Sequence, residues 1–446
     1  MSTTTNSALA LVDDNYDSYL QINDWDFGVS YHRNWRLTFE FDDTYEMNYI
    51  SFAGPVNDSS INNIGISYYN ESGKEVDASI DAFRRKTDDN GRIYFIAHLA
   101  KPIKTNKVRF GVQSSNRTMR ISEFNFYYYD SLEEDVNALF TDSFHLTVRD
   151  DVTSTTLDDL QTRLNTPDEV SQELHPFKDL IQLELNQARQ VVEGTALQNI
   201  QEIHNGIAAS KQGNLGFGGL NSWQPLGYVT YPGDTFIVYV GQEGKRNGQA
   251  VNLQLVYSQY HAESASFVSS PISLKVGKNE ISMKELQSIG VEKGGSVYVQ
   301  YTGNSNEKIA VRVSGGEKIA TLDLYQVSDE NERLEKVKTY LQSLQTQINK
   351  MASKHEELHR DDNSVNYDYD EKNCILGATE IMLDHMLYSV SGKQIMAGLK
   401  GTTLDEKANQ LLNSLNAMDQ MMELFYQNKG LNENAAAIND RYPAQH

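Results

Sequence analysis

The chain has 446 residues, 39% of them hydrophobic and 10% aromatic, which is enough for several cores and too much for a chain disordered throughout. Its 61 Asp and Glu against 39 Lys and Arg give a formal charge of −22, which disfavours a nucleic-acid or anionic-membrane partner. The single cysteine, Cys374, rules out an intramolecular disulfide and any cysteine-rich zinc site, and its place in the apolar run CILGATEIML reads as a buried thiol.

The opening stretch, MSTTTNSALALVDDNYDSYL, carries neither a basic n-region nor a sustained apolar segment. No run is long enough to span a bilayer, so an exported protein would carry its signal outside this sequence. From about residue 20 the sequence alternates in short strands separated by turn chemistry. WRLTFEF, MNYISFAG, NIGISYYNESGKEV, RIYFIAHL, NKVRFGVQ and RISEFNFYYYD predict a β-sandwich over 1–130. The chain's 25 tyrosines suit such a sandwich and a carbohydrate-facing surface.

Over 131–212 the period changes. TTLDDLQTRLN, HPFKDLIQLELNQARQVVEG and TALQNIQEIHNGIAASK space their apolar residues as helices do, with Thr, Asp and Pro at the starts, so a helical connector is predicted. After the glycine-rich GNLGFGGLNSW a second β-domain is predicted over 213–326, from YVTYPGDTFIVYVG, VNLQLVYSQY, SPISLKVGKNEISM, GGSVYVQYTG and KIAVRVSGG. Residues 327–446 read as helical. The fold class is therefore multidomain, mixing all-β and all-α parts.

The first C-terminal helix holds a metal-like pattern. His355, Glu356 and His359 stand in the spacing H-E-x-x-H, followed by Glu371. On a helix, positions i and i+4 share a face, so two imidazoles can hold one Zn²⁺ while the intervening glutamate activates a bound water. Glu371 would complete a gluzincin ligand set. The same helix argues for another reading. Leu334, Leu341 and Ile348 recur every seven residues, as do Val337, Leu344, Met351 and Leu358, and His355 falls next in the first series. On that reading the stretch is the end of a packed helix with a semi-buried histidine. The following RDDNSVNYDYDEKN lacks the D-x-D-x-D-G spacing of a calcium loop and reads as solvated charge.

LGYVTYPGDTFIVYV, SPISLKVGKNEIS, GGSVYVQYTG and NCILGATEIMLDHMLYS together resemble the enhancin-like zinc metallopeptidases, secreted mucin-degrading gluzincins of bacteria and viruses. The resemblance runs from about Gly213 to the C-terminus. It implies a β-domain, then helices such as AMDQMMELFYQNKGL, and only then a zinc helix of the form H-E-x-G-H. Here Leu358 replaces that glycine, and 355–359 precedes NCILGATEIMLDHMLYS instead of following it. The resemblance thus implies that the chain stops before the zinc helix, so no ligand role passes to His355, Glu356, His359 or Glu371.

The first β-domain resembles the discoidin or galactose-binding-like sandwiches joined to such peptidases. These bind sugars through loops that set an aromatic face beside Arg, Asn or His donors. Trp25, His32 and Arg33, or Asn116 and Arg117, suit that chemistry, the alternative being a core tryptophan and solvated loop residues. The reading that results is a non-catalytic N-terminal portion of a secreted mucin-targeting zinc metallopeptidase. Its partners would be mucins or other O-glycosylated host proteins, and its zinc would sit in the intact parent. The rival readings are a complete gluzincin using 355–359 and an adhesin-type carbohydrate-binding protein without enzymatic activity.

Overall fold

The computed structural model describes residues 8–23, 33–54, 61–87, 92–114, 118–167, 174–204, 223–230, 235–258, 269–282, 295–303, 307–361, 375–384 and 386–428. They form two compact units, Met1–Phe140 with Val148–Thr195, and Thr141–Thr147 with Ala196–His446. The chain mixes β-sheets and helices as expected, and Cys374 lies outside the described residues.

The first unit opens with β1 (Leu20–Asn23), β2 (Arg33–Ala53), β3 (Ile61–Tyr69), β4 (Glu75–Ala78), β5 (Ile80–Thr87), β6 (Ile93–Ser114), β7 (Thr118–Ile121) and β8 (Phe124–Tyr127). WRLTFEF and MNYISFAG turn out to be one strand, β2, and RIYFIAHL and NKVRFGVQ another, β6. A straight strand of that length would span roughly 70 Å, more than a domain of this size, so it has to bend. The bend comes at register shifts between Glu40 and Tyr45 and between Met47 and Tyr49. On one side of it β6 pairs with β3 and the start of β2; on the other, β5, β6, the end of β2 and β8 lie together. The two halves face each other. Phe110 of the first meets Phe52 and Phe124 of the second, with ring centroids 5.2 and 4.8 Å apart. This is a β-sandwich made from one folded antiparallel sheet.

α1 (Leu132–Asn137), α2 (Ser154–Asn165) and α3 (Lys178–Val192) complete this unit. Thr153 caps α2 in a reciprocal box with Thr156. Leu157, Leu160, Leu164, Ile181 and Leu185 bury the helices against Tyr49 and Ile96 of the sandwich. The segment TALQNIQEIH is not helical. Gly194, at φ +72°, closes α3 as a left-handed cap, and β9 (Gln201–Glu202) then joins a sheet of the second unit.

In the second unit β10 (Trp223–Thr230), β11 (Thr235–Gln242), β12 (Ala250–Ser258), β13 (Ile272–Lys275), β14 (Gly277–Ser282), β15 (Gly295–Tyr301), β16 (Ile309–Gly315) and β17 (Glu317–Lys318) build two sheets, ordered β13-β12-β15-β10-β17 and β14-β11-β16-β9. Both contribute to one core, with Phe236, Val238 and Val240 of β11 among Leu253, Leu255, Val297 and Val299. Thr141–Thr147 belongs to this unit. Phe144 covers Gly241, where any Cβ would meet its ring, and its carbonyl accepts the Arg312 Nε–H at 2.6 Å.

β18 (Thr321–Asp323), α4 (Glu330–Asp361), β19 (Ala378–Met382), β20 (Leu387–Ser391), α5 (Gly392–Gly398) and α6 (Leu404–Asn428) follow. β18 joins β19 and β20 in a small sheet; for β19 and β20 periodicity read only helix, because β19 is buried along its whole length and a short apolar run carries no period. The heptad stripe of α4 packs as the spacing requires, with Val337, Leu341, Leu344 and Met351 buried. Asp329 caps the helix by accepting the Glu332 amide at 2.8 Å.

Candidate functional site

Strand register defines one end of the first sandwich. Asn23, the last residue of β1, pairs with Thr118, the first of β7. Arg33, the first residue of β2, pairs with Ser114, the last of β6, and Ile61, the first of β3, meets the same Ser114. The anchor points of 24–32 and 115–117 therefore converge, and Ile61, which follows 55–60, meets them. Trp25, His32, Asn116 and Arg117 lie outside the described residues, and of Arg33 only the backbone is described. The register shows that the two candidate groups, about ninety residues apart in sequence, spring from adjacent strand ends.

Beside these anchors stands a set that the sequence did not single out. Arg120 on β7 donates its Nε–H to Gln21 Oε1 at 2.9 Å and lies 5.5 Å from the centre of the Tyr19 ring. An exposed guanidinium and an aromatic face thus sit on the β1–β7 ribbon. Their proximity depends on a pairing across about a hundred residues, so no local pattern announces it.

The first unit also buries a titratable cluster. Arg84 and Glu133 form an ion pair at 2.5 Å, Tyr49 donates its hydroxyl to Glu133 at 3.1 Å, and the Arg84 guanidinium lies 3.5 Å from the centre of the Phe177 ring. His98 stacks on Tyr49 at 4.5 Å. His175 accepts the Phe177 amide at Nδ1, while its buried Nε2 finds no partner among the described residues. Burial holds the His175 imidazole down to about pKa 4. Asn48 clips the same junction, its side chain bonding both the N–H and the carbonyl of Tyr129 at 2.9 and 2.8 Å. The cluster is sealed and its charges are paired, which suits holding helices to a sheet better than binding a substrate.

α4 stays helical through Asp361, so positions 355 and 359 are one turn apart on it, while the side chains of His355, Glu356 and His359 are not described and Glu371 lies outside the described residues. Among the described residues no group of three or more His, Cys, Asp or Glu is placed to hold a metal ion. Among them, too, no helix is long and apolar enough to cross a membrane.

No family model matches the chain, and no curated protein matches it. Among solved structures it is similar to the CBM32-1, CBM32-2 and M60 catalytic domains of Clostridium perfringens ZmpB, at 18% identity and a TM-score of 0.47, over 99% of this chain and 42% of that one. It is similar over 55% of its length to the M60 catalytic domain of Clostridium perfringens ZmpC in complex with the sialyl T antigen, at 16% identity and a TM-score of 0.39, covering 43% of that chain. The isolated CBM32-1 and CBM32-2 domains of ZmpB match 71% of this chain and 87% of theirs, at 16% identity and a TM-score of 0.31. The chain spans less than half the length of the catalytic-domain chains of ZmpB and ZmpC.

Proposed function

We propose that this chain is the glycan-recognising, non-catalytic N-terminal part of a secreted, mucin-directed zinc metallopeptidase of the enhancin-like type. One observation carries the recognition half: the register that brings the anchors of 24–32 and 115–117 to one end of the sandwich. A sugar needs a flat apolar face and several directed donors within a few ångströms, and loops rising from adjacent strand ends can supply both. The peptidase half rests on the resemblance of the four sequence phrases beyond Gly213. In the intact protein the zinc would supply a metal-activated water for attack on a peptide carbonyl.

The test is an NMR titration of the full chain with galactose, N-acetylgalactosamine and mucin-type O-glycans, together with metal analysis of the purified protein. We expect high-micromolar to millimolar binding that is weakened by Trp25→Ala and Arg117→Ala, and no stoichiometric zinc. The absence of any shift with every glycan overturns the recognition reading.

A second reading is favoured by the uninterrupted helix through Asp361, which sets positions 355 and 359 one turn apart as a zinc pair requires. About one zinc per chain, lost on His355→Ala and on His359→Ala, together with casein or mucin cleavage lost on Glu356→Gln, would make the chain itself the peptidase. Glycan binding without metal or any peptidase context would leave an adhesin.

A further inference from the structure

The second unit holds a carboxylate that none of these roles uses. Glu380, at the centre of β19, is fully buried. One of its oxygens accepts the Tyr298 hydroxyl at 2.7 Å, from β15 of the five-stranded sheet, and the Ser389 hydroxyl at 3.1 Å, from β20 of its own sheet. The other oxygen, Oε2, has no hydrogen-bond partner among the described residues, and no cation there acts on the Glu380 carboxyl. Thr321, its neighbour on β18, also keeps a buried hydroxyl without a partner among the described residues. Gly227 on β10 lets the Thr321 hydroxyl approach, since a Cβ there would lie 2.9 Å from it.

We propose that Glu380 is a proton-operated latch between the β18–β20 sheet and the β10–β15 sheet, closed when its carboxyl is neutral and loosened when it ionises. A neutral carboxyl keeps its bonds from Tyr298 and Ser389 and leaves no charge in the core. A carboxylate must stay in the core with no cation paired to it among the described residues, at the cost of lost hydration. Among the described residues the titratable groups facing it are Tyr298 from β15 and, further off, Tyr340 from α4, whose hydroxyl bonds Thr379. Burial raises both phenols, so neither supplies a compensating charge. β18, β20 and β10 present Thr321, Ser389 and Gly227, which carry no charge.

Burial raises the Glu380 carboxyl from 4.5 to about 7. A group whose folded pKa is raised stabilises fully below its unfolded value and loses that contribution as pH rises through the folded one. The window is therefore pH 4.5 to 7, and across it the opening constant of the junction rises about tenfold per pH unit, roughly 300-fold in all.

Hydrogen exchange of the full chain tests this, with amides of β19 and β15 followed from pH 5 to 8 and corrected for the intrinsic pH dependence of exchange. The expected result is protection that falls with pH in wild type and stays flat in Glu380→Gln. Trp223, whose ring lies 5.3 Å from Tyr298, reports the same opening by fluorescence. If Glu380→Gln does not fold, Tyr298→Phe serves instead, since losing the donor to the carboxylate should move the transition to higher pH. Infrared spectra should show a protonated buried carboxyl band that disappears above neutral pH. Protection independent of pH in wild type, or the absence of that band at pH 5, overturns the latch.

Discussion

His175 sits among Tyr49, Tyr129 and Phe177 with one ring nitrogen bonded and the other without a partner among the described residues, an environment that tolerates a neutral ring and resists a charged one. Its folded pKa is held down to about 4 from 6.5, chiefly by burial, so its contribution is complete above pH 6.5 and is lost as pH falls through 4. The difference amounts to up to about 3 kcal/mol for the first unit. Glu123, pushed up by burial, works against it at the acid end. His175→Phe should cost about 1 kcal/mol at pH 7, where the bond to the Phe177 amide is lost, and should become the more stable form near pH 4. Urea unfolding at the two pH values checks this, and parallel pH profiles for both proteins would refute it. Nothing in HPFKDL marks this histidine as buried. The rings that enclose it include Tyr129, 46 positions away, and Tyr49, 126 positions away, whereas the apolar spacing around it was enough to predict α3.

At the scale of elements, what could be read from the sequence was what is local. The heptads of α4 and the Thr-led start of α2 are written within a dozen residues, and those helices stand where the spacing put them. The four strands that proved to be two, the hidden β19 and the non-helical β9 segment each depend on a partner far along the chain. The candidate sugar residues follow the same rule. Their types could be picked from the loops, but the convergence of their anchors is a property of register. Gly227 gives this scale its test. It occupies a register shift in β10 at φ +73°, its carbonyl accepts the Ile319 amide at 2.9 Å, and it faces the Thr321 hydroxyl. Gly227→Ala should cost about 1–2 kcal/mol for the left-handed backbone alone, with the crowded hydroxyl adding to it. A lowered denaturant midpoint at unchanged slope, with faster exchange of the Ile319 amide, is the expected outcome, and wild-type stability would mean that the bulge can rearrange freely.

Across the whole molecule the two units respond to pH with opposite sign. The first gains stability from pH 4 to 6.5 through His175, and the second loses it from pH 4.5 to 7 through Glu380. In the second unit Asp142, Glu307 and Glu406 have carboxyls held below their usual range by hydrogen bonds that outweigh any burial, and Glu406 lies at about 2. Those contributions are lost only as pH falls below the ordinary carboxylate values, so the stability of the second unit should peak near pH 4.5–5. Calorimetry of the full chain between pH 5 and 6.5 should then resolve two transitions whose separation changes by the free-energy equivalent of about 2.5 kcal/mol per pH unit, each group contributing about 1.4 at most. Glu380→Gln should remove the slope of one transition and His175→Phe that of the other, which assigns each to its unit. If instead both transitions move together with pH and each substitution shifts both, the units unfold as one cooperative body, and the opposing charges would cancel within it.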